Sequence, residues 1–292
     1  MKLFYQNKRI FILVMLAGFL VVNILLIEKA IYHNGHFAPL EVSFLDVGQG
    51  DAILINFRKN YQILIDGGPS GKKVLQELAK VMPTFDNKIE LIISTHPDRD
   101  HFVGLIDVIK KYDIGEILIN GQQSDDELWQ VFQEEVAKKN IKEETVGEGS
   151  QIDIGSDFKM TFFNPDKIEK NRKAKNDSSV VARLDYGQNS FLFTGDAGFD
   201  AEADMIFDHE NLDVDYLKVG HHGSRYSTSK FFLARVAPLW SIISVGENDY
   251  GHPTRETMDR LKEVNSKILR TDRLGTITIK CPDKQKSCLP LH

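Results

Sequence analysis

Only two cysteines occur among 292 residues, Cys281 and Cys288, close together at the very end of the chain. That spacing is no zinc knuckle, and no other cysteine could complete one. A bridge across a C-terminal hairpin and a pair of free thiols both stay open. An excess of positive charge is also missing. The net charge of -6 excludes capture of nucleic acid or anionic lipid by the field of the whole molecule. An anionic substrate would have to be held locally, by metal or by a basic patch. No short-period repeat and no low-complexity tract occurs. With a single long apolar run, the chain cannot itself be a many-helix membrane channel.

That run extends from Ile10 to Ile27, interrupted only by Gly18 and Asn23 and preceded by Lys2, Lys8 and Arg9. Eighteen residues are just enough to span a bilayer as a helix. The basic flank favours an inside N-terminus with the remainder translocated. No small-x-small cleavage site follows closely, since Leu25-Leu26-Ile27-Glu28-Lys29 is a poor one. The reading is a cytoplasmic segment 1–9, an uncleaved signal anchor 10–27, a linker 28–40 and an extracytoplasmic domain 41–292. A cleaved signal peptide, leaving a secreted domain, is the rival. A buried core helix is a third reading, which the basic flank disfavours.

The domain opens with strands at Glu41–Leu45, Ala52–Phe57 and Gln62–Ile65, an antiparallel meander that ends on Asp66-Gly67-Gly68. Helices are predicted over 72–81, 103–112 and 125–140, with strands at 90–93, 116–119 and 158–163 among them. The second half repeats the plan. A hairpin of Ser179–Tyr186 and Ser190–Thr194, turned by Gly187-Gln188-Asn189, ends on Gly195-Asp196. Further strands fall at 216–219, 239–245 and near Ile268 and Ile277, with helices at 200–207, 229–236 and 254–264. Strands and helices alternate, but hairpins are mixed in, so this is no simple doubly wound sheet. The prediction is an α/β fold in which two mixed sheets pack face to face with helices outside.

The stretch Ser94-Thr95-His96-Pro97-Asp98-Arg99-Asp100-His101 places four potential metal ligands on one strand-to-helix loop. A polar loop with Asp100 as the helix N-cap accounts for one of them and leaves three unexplained. Ligand-type residues also end other strands: Asp66, Asp177, Asp196, His221 or His222, and His252. Seven or more exceed what one tetrahedral zinc needs and fit a dinuclear site bridged by a carboxylate. Imidazoles suit zinc, iron and manganese, while carboxylates pull the preference toward harder ions.

Together the HxDxDH loop, the early DVGQGD turn, LIDGG, TGD and LKVGHHGS resemble the metallo-β-lactamase superfamily. In particular they resemble the extracellular hydrolase domain of ComEC-type competence proteins. The match runs from about Glu41 to Lys280. The resemblance implies an αββα sandwich, preceded here by the transmembrane helix, and two divalent metal ions, zinc or manganese. It implies that His96 and Asp98 bind one metal and Asp100 and His101 the other, with Asp196 bridging. It implies a ligand in the His221-His222 pair, His222 being favoured with His221 behind it, although spacing does not separate them. Asp66 would buttress the metal loop, with an Asx-turn as the plain alternative.

The family's middle ligand is usually a histidine, yet none lies between His101 and His209. Asp177, in Asn176-Asp177-Ser178-Ser179, is the candidate replacement, and a carboxylate there makes manganese as fitting as zinc. His252, in a Gly-His-Pro resembling the family's, could bind a phosphate oxygen or protonate a leaving group. Its bland reading is a structural histidine. Ser224 and Arg225 could touch an anionic substrate. The run 166–175 carries five basic residues just before Asp177. Among them Lys170, Arg172, Lys173 and Lys175 could guide a polyanion; no aromatic interleaves the run, so base stacking within it is not indicated.

The expected function is phosphodiester hydrolysis by metal-activated water, with Asp100 and His252 as catalytic residues and extracellular DNA as substrate. An envelope or small-molecule phosphodiesterase, similar to a phosphorylcholine esterase, comes second, and a β-lactam hydrolase third, disfavoured by Asp98. A non-catalytic module that hands DNA to a partner is the rival from another class. The membrane would be engaged through the N-terminal helix, and the oligomeric state is left open.

Overall fold

The computed structural model describes residues 15, 23, 39–58, 61–166, 176–209 and 211–291. The expected anchor (Met15 and Asn23 apart), its basic flank, most of the linker and the basic residues 167–175 lie outside the described residues. A compact unit spans Pro39–His292.

In chain order the first strands are β1 (Leu40–Phe44), β2 (Ile53–Phe57), β3 (Tyr61–Ile65), β4 (Lys88–Ser94), β5 (Asp113–Ile119), β6 (Lys142–Thr145), β7 (Gln151–Ile154) and β8 (Phe158–Asn164). They are followed by β9 (Val181–Tyr186), β10 (Asn189–Phe193), β11 (Tyr216–Lys218), β12 (Trp240–Ile243), β13 (Lys267–Arg270), β14 (Ile277–Cys281) and β15 (Leu289–Leu291). Among the described residues these make two sheets, in the orders β15-β14-β1-β2-β3-β4-β5-β6 and β13-β12-β11-β10-β9-β8-β7. Both are mixed: β1, β2 and β3 pair antiparallel while β3, β4 and β5 pair parallel. The second sheet likewise changes from antiparallel at β9-β10 to parallel at β10-β11.

Period-two patterning builds the layers. Val42, Phe44, Ile53, Ile55, Ile63 and Ile65 of the first sheet meet Phe158, Met160, Leu184, Phe191 and Phe193 of the second in one buried core. Each buried Phe or Ile contributes about 1.5–3 kcal/mol. The opposite faces carry Leu54, Leu64 and Ile92, which pack on α1 (Gly71–Val81), α2 (Arg99–Lys111) and α3 (Glu127–Lys138). Leu192, Leu217 and Val219 similarly meet α4 (Phe199–Asp208), α5 (Lys230–Val236) and α6 (Arg255–Glu263). Two sheets face to face with helices outside is the layer order expected from the sequence.

Local departures have simple causes. The hairpin turn is Gly187-Gln188 alone, because Asn189 already pairs with Tyr186. The helix after the metal loop starts at Arg99 rather than Val103, with Asp98, not Asp100, at the N-cap. The Asp98 side chain makes no capping hydrogen bond. Edge strands β6 (KEET) and β7 (QIDI) lack an apolar run, and charge at an edge blunts further pairing.

Beyond β14 the register Lys280↔Leu289 brings Cys281 opposite Cys288, and the two form a disulfide. Both are buried in the inter-sheet core. Closing so short a loop, with a sequence separation of 7, contributes about 2 kcal/mol by loop-closure entropy. Unfolding the full chain in denaturant with and without reductant therefore gives a stability lower by that amount when reduced. Identical midpoints would show that the bridge does not act.

Candidate metal centre

The ends of the central strands deliver the chemistry. β3 runs into Asp66, β4 into His96, β10 into Asp196 and β11 into His221 and His222. Asp100 and His101 follow in the first turn of α2. Tight backbone approaches hold this loop. Gly67 N–H donates to the His101 carbonyl (2.7 Å), Gly104 N–H to the Gly68 carbonyl (2.8 Å) and Asp51 N–H to the Asp100 carbonyl (3.2 Å). A Cβ on Gly104 would collide with the Gly67 carbonyl, so only glycine fits there. Asp66, His221 and His222 all adopt left-handed backbone (φ 57°, 47° and 52°), a strain that functional sites store.

Three buried imidazoles are locked with one edge turned to a common point. Asp66 accepts from the Thr95 N–H (2.8 Å), the Thr95 hydroxyl (2.7 Å) and His101 Nδ1–H (2.8 Å). Because the Thr95 proton goes to Asp66, the hydroxyl oxygen accepts from His96 Nδ1–H (3.0 Å). His222 Nδ1–H donates to the Ser244 carbonyl (2.9 Å). In each ring this hydrogen bond occupies Nδ1 and leaves Nε2 as the atom turned to the common point. All three Nε2 atoms are buried without a hydrogen-bond partner, as is Asp196 Oδ1.

The separations suit a metal ion. His101 Nε2 stands 3.3 Å from Asp196 Oδ1, and His222 Nε2 stands 3.3 Å from Asp100 Oδ2 and 3.6 Å from Asp196 Oδ2. Ligand atoms placed tetrahedrally at zinc bond lengths are about 3.4 Å apart. Asp100, His101, Asp196 and His222 thus form one complete four-ligand group. On its other side His96 Nε2 lies 3.8 Å from Asp98 Oδ2 and 4.0 Å from Asp196 Oδ2. His221 Nε2 lies 3.8 Å from Asp196 Oδ2, on a ring that is half exposed and contacts Asn176. Asp196 sits between all of them. That four-residue group could hold one cation, with His96, Asp98 and His221 placed beside it.

Electrostatics agrees. Burial lowers the His101 pKa, but Asp196, Asp66 and Asp100 outweigh it and hold the ring well above its ordinary value. Burial likewise opposes, and Asp196, Asp100 and Asp51 overcome, in raising His222. Asp196 and Asp100 are held low against burial, Asp196 mainly by His222 and His101, Asp100 by His101 and His222. The carboxylates draw positive charge inward, as a cation site requires. His96 goes the other way: burial and then His101 push it down to about 3, so it stays a neutral donor of its lone pair.

Two residues without an assigned role in the sequence reading belong here. Lys218 is buried, its Nζ paired with Asp51 Oδ2, donating to the Gly195 carbonyl (2.8 Å) and 3.8 Å from Asp196 Oδ1. Asp51 also lies 3.6 Å from His222 Nδ1 and 3.8 Å from His101 Nδ1. A signal existed: a lysine inside the apolar run Tyr216–Val219, on the same face as Tyr216, must find a partner.

The remaining candidates lie further out. Asp177 Oδ1 accepts from Gly198 N–H (3.0 Å), beside a cavity that it lines with His221. His252 packs edge-on against His221, and burial followed by His221 pushes its pKa down to about 4. Ser224 is buried, its hydroxyl accepting from Tyr226 N–H (3.3 Å) in the turn after the histidine pair. Arg225 is exposed and faces Glu256 at 3.7 Å. Lys170, Arg172, Lys173 and Lys175 lie outside the described residues.

Comparison with known proteins agrees with this architecture. The family model described as the Metallo-beta-lactamase superfamily matches residues 45–246. The chain is 28 % identical over 260 residues to ComE operon protein 3 of Bacillus subtilis, covering 81 % of this chain and 32 % of that protein. It is 31 % identical over 243 residues to Recombination protein 2 of Haemophilus influenzae, covering 82 % and 28 %. The chain thus spans about a third of the length of such relatives. Among solved structures it superposes on the metallo-beta-lactamase fold protein YhfI from Bacillus subtilis with a TM-score of 0.56 at 16 % identity, covering 82 % of this chain and 98 % of that one. For Zn(2+)-bound PqqB from Methylobacterium extorquens the TM-score is 0.51 at 12 % identity, with 82 % and 99 % covered. At these identities the structural likeness concerns the fold alone.

Proposed function

We propose, from the premise that this chain belongs to the metallo-β-lactamase superfamily, that it is a metal-dependent phosphodiesterase that cuts DNA outside the cytoplasm. The observation that carries this reading is the convergence near Asp196 of three buried imidazoles whose Nε2 atoms make no hydrogen bond. Asp100, His101, Asp196 and His222 would hold one ion, and His96 and Asp98 would hold a second together with Asp196. Zinc or manganese bound there supplies an acidified water and a Lewis acid for phosphate oxygens.

The protein's own groups do the positioning. Asp66, Thr95 and the Ser244 carbonyl fix the three rings, so little reorganisation precedes reaction. His252, neutral near pH 7 with a buried Nδ1 that lacks a partner, can offer its ring to a phosphate oxygen at the rim. DNA is favoured over other phosphodiesters because similar proteins carry the names competence protein and recombination protein. The disulfide supports an oxidising compartment, in line with an anchor at 10–27 facing the domain outward.

The test uses the full chain stripped of metal, with manganese or zinc restored, on single-stranded DNA and on bis-(p-nitrophenyl) phosphate. Cleavage of both is expected to return with metal and to be lost in Asp100→Asn. Turnover of the small ester alone would replace DNA by an envelope phosphodiester. Silence on both with metal bound would leave a binding module.

Lys170, Arg172, Lys173 and Lys175 would track the phosphate backbone. Each lost contact to a single strand removes about 0.7 from the slope of log affinity against log salt. Replacing all four with serine is expected to flatten that slope by about 3, measured on an oligonucleotide titrated across salt. An unchanged slope would remove the run from the DNA path.

A further inference from the structure

Beside the metal centre, and sharing His221 with it, lies a cavity of about 380 Å³ lined by Asn176, Asp177, Phe199, Asp200 and Tyr226 as well as the histidine. Its aromatic members come from distant segments and are held together by the fold. Phe199 N–H donates to the Tyr226 carbonyl (3.1 Å), and the Arg260 guanidinium stands 5.7 Å over the Phe199 ring. Yet both rings remain exposed, Tyr226 at 68 % and Phe199 at 40 %. Two large aromatic side chains exposed on the lining of one cavity offer an occupant an apolar stacking surface.

The lining chemistry narrows that occupant. Among the described residues no lysine or arginine lines the cavity, while Asp200 adds a carboxylate, so its described wall favours an uncharged group over a phosphate. A flat, uncharged ring with amino groups at its edge meets both features, stacking on the aromatics while the Asp200 carboxylate accepts from the amino group. His221 Nε2 is 3.8 Å from Asp196 Oδ2, so a ring here lies one residue's width from where a phosphodiester would be cut.

We infer that this cavity takes a nucleobase unstacked from an extended single strand, and that it prefers the amino-bearing bases cytosine, adenine and guanine to thymine. The inference rests on the phosphodiesterase reading and extends it to substrate form. A duplex, whose bases are stacked and paired, cannot enter without unpairing. Aromatic stacking absent from the basic run is thus supplied by Tyr226 and Phe199, which only the tertiary fold brings beside Asp177.

The experiment uses the full chain carrying Asp100→Asn, with manganese present, and a single-stranded 12-mer containing one 2-aminopurine. Stacking in the cavity is expected to quench the fluorophore. Tyr226→Ala is expected to weaken binding about tenfold, the loss of one stacking contact. Its melting temperature should hold, because the ring is exposed. Phe199→Ala should act likewise, duplex should give no quench, and oligo-dC should bind several-fold tighter than oligo-dT. Equal affinity and equal quench in the wild-type pocket and in both alanine variants would overturn the inference, and so would absence of any binding. Quenching that Tyr226→Ala abolishes, in a protein whose wild type never cleaves, would uphold the base pocket and remove the nuclease reading instead.

Discussion

Asp196→Asn is expected to lower kcat/KM for phosphodiester hydrolysis about a thousandfold and to cut metal content sharply, with the fold retained. No other side chain of the centre has as many neighbours within 4 Å: His96, His101, His221, His222 and Lys218 all reach one of its oxygens. Asparagine keeps the shape but loses the charge and one acceptor, so both halves of the centre are affected together. A variant that lost only one metal equivalent and kept most activity would show that Asp196 does not bridge. The comparison with His96→Ala is informative, since that change is confined to the side with fewer ligands. Metal content by mass spectrometry, alongside steady-state rates, reads both effects.

Lys218→Met is expected to destabilise the domain by about 3–5 kcal/mol, because it leaves Asp51 charged and buried without a partner. The pair spans the two sheets, Asp51 entering β2 of one and Lys218 ending β11 of the other. Methionine fills the same volume, so the loss reports the ion pair and not a cavity. Adding Asp51→Leu should restore most of the stability, since an apolar pair of similar size is often as good as a buried ion pair. Activity should not return with it, because Asp196 has lost the ammonium 3.8 Å from its Oδ1. Denaturant midpoints of the three variants measure this. A single variant as stable as the wild type would mean that Asp51 finds another partner.

The layers were legible because their cause is local. Alternating residues such as Val42, Phe44, Ile53 and Ile55 point one face inward, and that pattern survives in the two-sheet core. Edge strands β6 and β7 were not, since four polar-rich residues acquire strand pairing only from a neighbour. The start of α2 was hidden because Asp98, Asp100 and His101 look like loop residues, while in the folded chain they occupy the cap and first turn.

At the site, residues at strand ends stood out as ligand types, and the structure gathers His96, Asp98, Asp100, His101, Asp196, His221 and His222 around one another. Asp177 shared their appearance, and the structure places it beside them, its Oδ1 accepting from Gly198 N–H on the wall of the cavity that His221 also lines. Asp51 read as part of a glycine turn and Lys218 as part of a strand. Their pairing exists only once the two sheets meet, which no spacing along the chain reveals. The exposed rings of Tyr226 and Phe199 were invisible for the same reason.

The most direct measurement is anomalous scattering from crystals of the protein grown with manganese or zinc. Two peaks about 4 Å apart are expected, one among Asp100, His101, Asp196 and His222 and the other against His96 and Asp98, with Asp196 touching both. Peaks elsewhere, or none at saturating metal, would contradict a metal-dependent hydrolase built on these residues.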